Sequence, residues 1–455
     1  MIFETLLIRG CEVVGPDGVT QADLLIEDGR ILKMGRGIRH ARARVIDASG
    51  MLVFPGLVDM HTHLREPGQE RSETIETACR AAVAGGYTAV VAMPNTNPPV
   101  DSPEIVVSVR SKANAVRLVD VEVAACVTRH RSGYRLTEMG RLAGLGVRLF
   151  TDDGTCVRSA AALKLALTNS ARMGFIVADH PEEPSLVGED LVSQSLEEES
   201  RFGYGARERR GVGCINEGEI SSRLGLPVRP REAETVIVSR DLAILAAVGG
   251  RLHLQHLSTS DSFDLLKRAK ESGLSVTAEV APHHLVFTEE AASGCDPVYK
   301  VNPPLRTRFD LEAAREALVE GVVDVVATDH APHAPELKEL AFEEAPAGIA
   351  SIEIAFSLLY TELVCNGVLS IQDLVRLMSS RPAEILGLED HGGPLQEGSA
   401  ANVAVFDPSR TWEYDPSVSY SKAKASPYAG RKFNGRVVLT IYRGQVVFEE
   451  ERSGD

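Results

Sequence analysis

Twelve histidines are spread over 455 residues, and some of them stand where imidazole can act as a ligand. The first two are His61 and His63, in Gly56-Leu57-Val58-Asp59-Met60-His61-Thr62-His63-Leu64-Arg65-Glu66-Pro67-Gly68. The stretch opens as an apolar run and closes on a turn. As a β-strand it alternates faces, so both imidazoles leave on one side. Neutral imidazole suits zinc and its neighbours, so the pair could hold a metal. Taken alone, His-x-His is a weak signal and reads better as two surface histidines on a turn. Its weight comes from further polar stations, each after an apolar run. These are Met93-Pro94-Asn95-Thr96, Thr151-Asp152-Asp153-Gly154, Asp179-His180, His256-Leu257-Ser258-Thr259, Ala281-Pro282-His283-His284-Leu285 with Asn302-Pro303-Pro304-Leu305-Arg306, and Thr328-Asp329-His330-Ala331-Pro332-His333.

The elements that must position these stations follow from the hydrophobic pattern. Apolar runs of strand length recur at 57–62, 87–92, 121–127, 146–150, 174–178, 251–256, 274–280 and 322–328. Helical spacing fills Glu73 to Ala84, Ala160 to Ala171, Ala233 to Ala247, Ser262 to Glu271 and Leu311 to Val319. Eight strand–helix units predict an α/β protein with a closed (β/α)8 TIM barrel, whose active site lies at the C-terminal ends of the strands. No Gly-x-Gly-x-x-Gly follows the first strand, which argues against a dinucleotide fold. Residues 1–54 read as short strands turned by Asp17-Gly18 and Asp28-Gly29. β character returns at Asn402–Phe406 and Arg436–Tyr442. The chain therefore divides into a barrel, 55–388, and a small β-sandwich-like domain built from 1–54 and 389–455. The segment Pro181 to Pro230 is long for a connection. It carries Glu197-Glu198-Glu199 and Arg207-Glu208-Arg209-Arg210, and 186–211 reads as a solvated insertion rather than a lid or subunit contact.

Bulk numbers exclude several classes. A net charge of −16 argues against nucleic acid, which needs clustered Lys and Arg. No run is long and apolar enough to span a bilayer. Seven scattered cysteines with no Cys-x-x-Cys read as reduced thiols, and Met1-Ile2-Phe3-Glu4 lacks the basic start of a signal peptide. Both point to the cytoplasm.

Together the motifs resemble the cyclic-amidase branch of the amidohydrolase superfamily, and within it the class I dihydroorotases. The resemblance rests on His-Thr-His-Leu-Arg-Glu-Pro-Gly (61–68), Met-Pro-Asn-Thr (93–96), Asp-Asp-Gly (152–154), Ala-Pro-His-His-Leu (281–285), Asn-Pro-Pro-Leu-Arg (302–306) and Thr-Asp-His-Ala-Pro-His (328–333), and covers almost the whole chain. It implies reversible hydrolysis and cyclisation between L-dihydroorotate and N-carbamoyl-L-aspartate, a step of pyrimidine biosynthesis, with one or two zinc ions. It implies His61, His63, Asp153, His180, His256 and Asp329 as metal ligands. Asp153 would occupy the bridging position, where many relatives carry a carboxylated lysine, and Asp329 would also shuttle a proton. It implies Arg65, Asn95, Asn302 and His333 as substrate contacts. As partners it leaves open a second copy of the chain and an aspartate transcarbamoylase. Asp152 reads as a turn cap, His253 as packed on the far side of its strand from His256, His283 and His284 as supporting residues, and His40, His130 and His391 as surface. One departure is Pro181-Glu182-Glu183, where Cys-Glu-Asp is expected after the histidine. The alternatives are another cyclic amidase (hydantoinase, dihydropyrimidinase or allantoinase) and a non-catalytic scaffold for a transcarbamoylase.

Overall fold

Strands form where the apolar runs predict them. The computed structural model describes residues 4–189 and 212–450. The barrel strands are Leu57–Thr62, Tyr87–Ala92, Asp120–Val123, Leu149–Thr151, Ile176–Asp179, Leu252–Leu254, Val276–Val280 and Val325–Val326. The first three form one parallel sheet and the last five another. Parallel bridges Ala125↔Phe150 and Thr62↔His330 join the two sheets at both seams, so the strands run round in chain order. Asp59 fastens the closing seam: its carboxylate accepts from the Thr328 amide at 3.0 Å and from the Thr328 hydroxyl. Burial pushes this carboxyl up to about 7.

Both faces of these strands are covered, which is why they read as continuous apolar runs. Val58, Met60, Ala89, Val91, Leu149, Ile176, Ala178 and Val325 pack together with Ala383, Ile385 and Leu386. Their neighbours Leu57, Val90, Val177, Leu252 and Val280 pack with helix residues such as Ala78, Leu163, Leu245 and Leu266. Helices cover the connections at Ile75–Ala84, Pro103–Val116, Met139–Gly144, Ala160–Met173, Glu232–Val248, Ser260–Glu271 and Arg308–Val319. Their starts follow local capping. Thr74, Ser159 and Thr307 each accept a hydrogen bond from the first turn. Gly56 marks the entry to the first strand, where a Cβ would lie 2.3 Å from the Thr88 side chain.

Both ends of the described chain share one eight-stranded sheet. Its order is Gln445–Glu449, Lys432–Tyr442, Val403–Glu413, Leu52–Pro55, Leu6–Gly15, Gly18–Glu27 and Arg30–Gly35, with Arg44–Asp47 also paired to Leu6–Gly15. One reading needs correction here. His391 is buried, not on the surface. Its Nε2 lies 2.8 Å from Asp120 Oδ2 and its Nδ1 3.1 Å from the Thr88 hydroxyl. The local Glu-Asp-His-Gly-Gly looks like an open turn; only docking against the start of the third barrel strand buries it. Most of the 186–211 insertion, including both charged patches, lies outside the described residues. The part that follows is ordered around the strand pair Ile215–Asn216 and Val228–Arg229.

Candidate active site

Six imidazole and carboxylate side chains from five strand ends converge at one mouth of the barrel. The two strand-one rings lie side by side, with centroids 5.2 Å apart. His61 Nε2 is 3.3 Å from Asp153 Oδ1 and 3.5 Å from Asp329 Oδ1. His63 Nε2 is 3.5 Å from Asp153 Oδ2 and 3.0 Å from Asp329 Oδ1. His180 Nδ1 and His256 Nε2 stand 3.6 and 3.7 Å from Asp153 Oδ1. Asp153 thus faces all four imidazoles from the centre of the cluster. Two triplets, His61–His63–Asp329 and His61–Asp153–His256, bring one donor atom each within 4.8 Å of one another. All six side chains are buried.

Short strands and left-handed backbone create this convergence. The strands end at Leu254 and Val326, and the chain then turns at His256 (φ 31°) and Asp329 (φ 44°). Strict alternation would set His253 and His256 on opposite faces. The turn at His256 brings both to the same cluster, so His253 is not merely packed elsewhere. Its Nε2 is 3.1 Å from Glu279 Oε2, and Glu279 Oε1 lies 2.6 Å from His61 Nδ1. Glu279 is the main residue the sequence reading missed. A carboxylate inside the run Val276-Thr277-Ala278-Glu279-Val280 was the available signal.

Neighbours fix which nitrogen of His61 and His63 is presented. His61 Nδ1–H donates to Glu279, and His63 Nδ1–H donates to Asn95 Oδ1 at 2.9 Å. Both leave Nε2 aimed at the carboxylates, the arrangement by which outer groups orient metal-ligating histidines. Asn95 Nδ2 reaches Asp153 Oδ2 at 3.2 Å. Asn302 Nδ2 lies 3.2 Å from both His180 Nε2 and Glu182 Oε2, and Glu182 forms a buried pair with Arg229. Asp152 accepts from the Thr128 amide and hydroxyl, in keeping with a turn anchor. His283 and His284 are buried beside each other, with ring centroids 4.4 Å apart.

The field in the cluster favours positive charge. Burial alone would raise Asp329 and Asp153, but the facing imidazoles outweigh it and hold both below the usual carboxylate range. Glu279 is likewise held down to about 2 against burial, by His61 and His253. Burial works against charging His61, yet Asp153, Glu279 and Asp329 push it well above the ordinary imidazole value. His180 rises to about 9 against the same opposition, beside Asp153 and Glu182. A cation placed among the carboxylates would satisfy this field in place of the imidazole protons. His61 Nε2 and His180 Nδ1, which face Asp153, make no hydrogen bond among the described residues. These nitrogen and oxygen donors therefore fit a metal ion.

The cluster opens into a cavity of about 530 Å³. His63, Asn95, Asp153, His180, His256, Asn302, Asp329 and His333 line it together with Arg65. Arg65 Nε donates to the Pro332 carbonyl at 3.1 Å, and its Nη2 lies 3.4 Å from His333 Nε2. Burial, opposed by the nearby carboxylates, lowers Arg65 to about 10, so it remains a cation. Nine non-glycine residues among those described have left-handed backbone; four of them, Arg65, Arg131, His256 and Asp329, line this cavity. Backbone strain collects where the surroundings force a geometry, as at ligand-binding sites. All ten residues singled out in the sequence therefore meet here. Arg131 and Arg229 join them unforeseen, the latter from the segment after the insertion and paired to Glu182.

Comparison with known proteins agrees with this geometry. A family model described as dihydro-orotase-like matches residues 50–212, and an amidohydrolase family model matches 207–447. A dihydroorotase of Mycobacterium leprae is 41% identical over 453 residues, covering 99% of each chain. One from Caldanaerobacter subterraneus subsp. tengcongensis is 40% identical over 98% of this chain and 97% of its own. Among solved structures, the L-hydantoinase from Arthrobacter aurescens superposes with a TM-score of 0.84 at 26% identity, covering 99% and 97% of the two chains. A D-hydantoinase superposes with a TM-score of 0.82 at 24% identity over 98% and 95%, which speaks to fold alone. With relatives this similar over its whole length, the chain belongs to the dihydroorotase family of amidohydrolases.

Proposed function

We propose that this protein is a zinc-dependent dihydroorotase that interconverts L-dihydroorotate and N-carbamoyl-L-aspartate. The observation that carries the reading is the joining of two features in one cavity: the six-donor cluster centred on Asp153, and the buried Arg65 guanidinium beside Asn95 and His333. The first suits amide hydrolysis; the second suits a ring that bears a carboxylate. His61, His63, Asp153, His180, His256 and Asp329 would hold one or two zinc ions, matching a donor set without sulfur. When bound, the metal supplies Lewis acidity and lowers the pKa of water toward about 7.

The chain's own groups do the rest. Arg65 pairs with the ring carboxylate through a two-pronged, charge-assisted contact. Asn302, whose Oδ1 is unpartnered, reads a ring amide edge. Asp329 is held as a carboxylate by its imidazole neighbours, so it can take the proton of the attacking water. It then returns that proton to the departing ring nitrogen; cyclisation runs the same transfers backwards. Glu279 and Asn95 keep His61 and His63 in one tautomer throughout. The test is turnover in both directions by the purified protein. Chelation should abolish it and added zinc should restore it. Undiminished turnover after complete metal removal would overturn the reading.

A further inference from the structure

Arg131 is a cation that the mechanism above leaves unused. It stands half-buried on the cavity wall. Its Nε and Nη2 donate to the Asp152 carbonyl at 3.3 and 3.4 Å, and Nη2 also donates to the Asp153 carbonyl. Among the described residues, Nη1 makes no hydrogen bond and no carboxylate pairs with the guanidinium. Arg65 is in the same condition, anchored by the Pro332 carbonyl and without an ion pair among the described residues. Two guanidiniums thus face one cavity, each anchored by main-chain oxygens and neither in an ion pair among the described residues. A charge out of bulk water is costly unless it is paired, so this wall is built to receive an anion from outside.

The backbone shows how firmly Arg131 is placed. His130 and Arg131 are consecutive left-handed residues, with φ of 56° and 54°. The turn is tied from three sides. Thr128 is held by Asp152, Gly133 N donates to Thr128 Oγ1 at 2.8 Å, and His130 N donates to Asp101 Oδ2 at 2.8 Å. Arg131 and Asn95 also meet at Gly154. A Cβ there would lie 3.0 Å from Arg131 Nη2 and 3.4 Å from Asn95 Nδ2. Asn95 is in turn bonded to His63, so Arg131 borders the same corner that Arg65 borders from the end of the first strand. Arg131 is also near enough to Arg65 to help lower it, after burial.

We propose that Arg131 is a specificity-determining residue that grips the substrate's ring carboxylate from the side opposite Arg65, with Asn95 between them. The proposal rests on dihydroorotate being the substrate class. A planar fork held by its own anchor contacts presents the free Nη1 edge in a fixed direction, which a lysine cannot reproduce. The contact accounts for the tied turn, for the glycine at 154, and for the missing carboxylate partner.

Two variants test it, Arg131→Gln and Arg131→Lys, in the zinc-loaded enzyme. Orotate, the planar carboxylated ring, serves as the calorimetric probe. Losing one charge-assisted contact should weaken orotate binding and raise KM for dihydroorotate by about tenfold or more in Arg131→Gln. Arg131→Lys should fall between it and the wild type. In both, kcat should stay within about threefold and zinc content should be unchanged. Unchanged orotate affinity and KM, with a fall in kcat or in zinc content, would overturn the proposal and leave Arg131 as a brace for Asp152 and Asp153. Should Arg131→Gln not fold, Arg131→Lys decides by the same readings. Calorimetry also separates this proposal from the functional one. A wild type that binds orotate without turning over dihydroorotate would refute the activity, and loss of that binding in the variants would still support the anion contact.

Discussion

Replacing Glu279 by Gln removes one charge and almost no volume. In the native site this carboxylate accepts from His61 Nδ1 at 2.6 Å and from His253 Nε2 at 3.1 Å, with the His256 amide at 3.4 Å. A carboxylate offers an acceptor to each imidazole. A carboxamide offers one oxygen and one NH2 group, so one ring must meet a donor and change tautomer. If that ring is His61, its proton moves to Nε2, the nitrogen that faces Asp153 and Asp329. If it is His253, the strong acceptor behind His61 still weakens to a neutral one. Outer partners of metal-ligating histidines are typically worth 10–100-fold in metal affinity. At about 1.4 kcal/mol per tenfold, that is about 1.4–2.8 kcal/mol, in line with about 1.5–3 kcal/mol for a hydrogen bond to a charged group. Competition against a chelator of known strength measures the zinc affinity, and thermal unfolding checks the fold. Activity should return at saturating zinc. A zinc affinity within about twofold of wild type, in a folded variant, would refute the reasoning.

Other substitutions probe separate parts of the site. Asp153→Ala should strip metal and activity, whereas Asp152→Ala should keep metal and lower stability through the Thr128 turn; metal analysis and melting curves decide, and the reverse order would contradict the assignment. Arg65→Met should lower kcat/KM for dihydroorotate by about 10- to 150-fold, one charge-assisted contact, while changing dihydrouracil turnover much less. Asp329→Asn should cut kcat by about 10²–10⁴-fold with metal retained, as for a lost proton carrier. Asp120 lies away from the site. Burial opposes its ionisation, but His391, Tyr442 and Arg443 hold it down to about 2. A depressed carboxylate stabilises the fold above its unfolded pKa near 4, and that stability disappears as pH falls toward about 2. Asp120→Asn should therefore lower stability at neutral pH by about 2 kcal/mol and flatten the acid limb of the unfolding curve between about pH 4 and 2.

The sequence made the cluster legible because strand ends in a barrel converge by topology. His61 and His63 follow from a period of two, and Asp153, His180, His256 and Asp329 each close an apolar run. The orientation of these groups was not legible. Alternation misplaced His253, since the strand stops at Leu254 and His256 turns through a left-handed backbone. Glu279 hid in a strand, where a single carboxylate gives no hint of its two imidazole partners. Arg131 and Arg229 arrive from connections whose path depends on tertiary hydrogen bonds, and the same is true of His391 in its turn. Asn95, read as a substrate contact, also proves to hold His63 and Asp153, a double duty that only distances reveal.

The central claim is that one cavity joins amide-hydrolysing ligands to a reader of the ring carboxylate. The most direct measurement is kcat/KM of the zinc-loaded wild type on dihydroorotate, dihydrouracil, hydantoin and allantoin, side by side. Dihydroorotate should exceed the carboxylate-free rings by at least the roughly 10- to 150-fold that a single charge-assisted contact contributes. Equal or faster turnover of dihydrouracil or hydantoin would contradict the account.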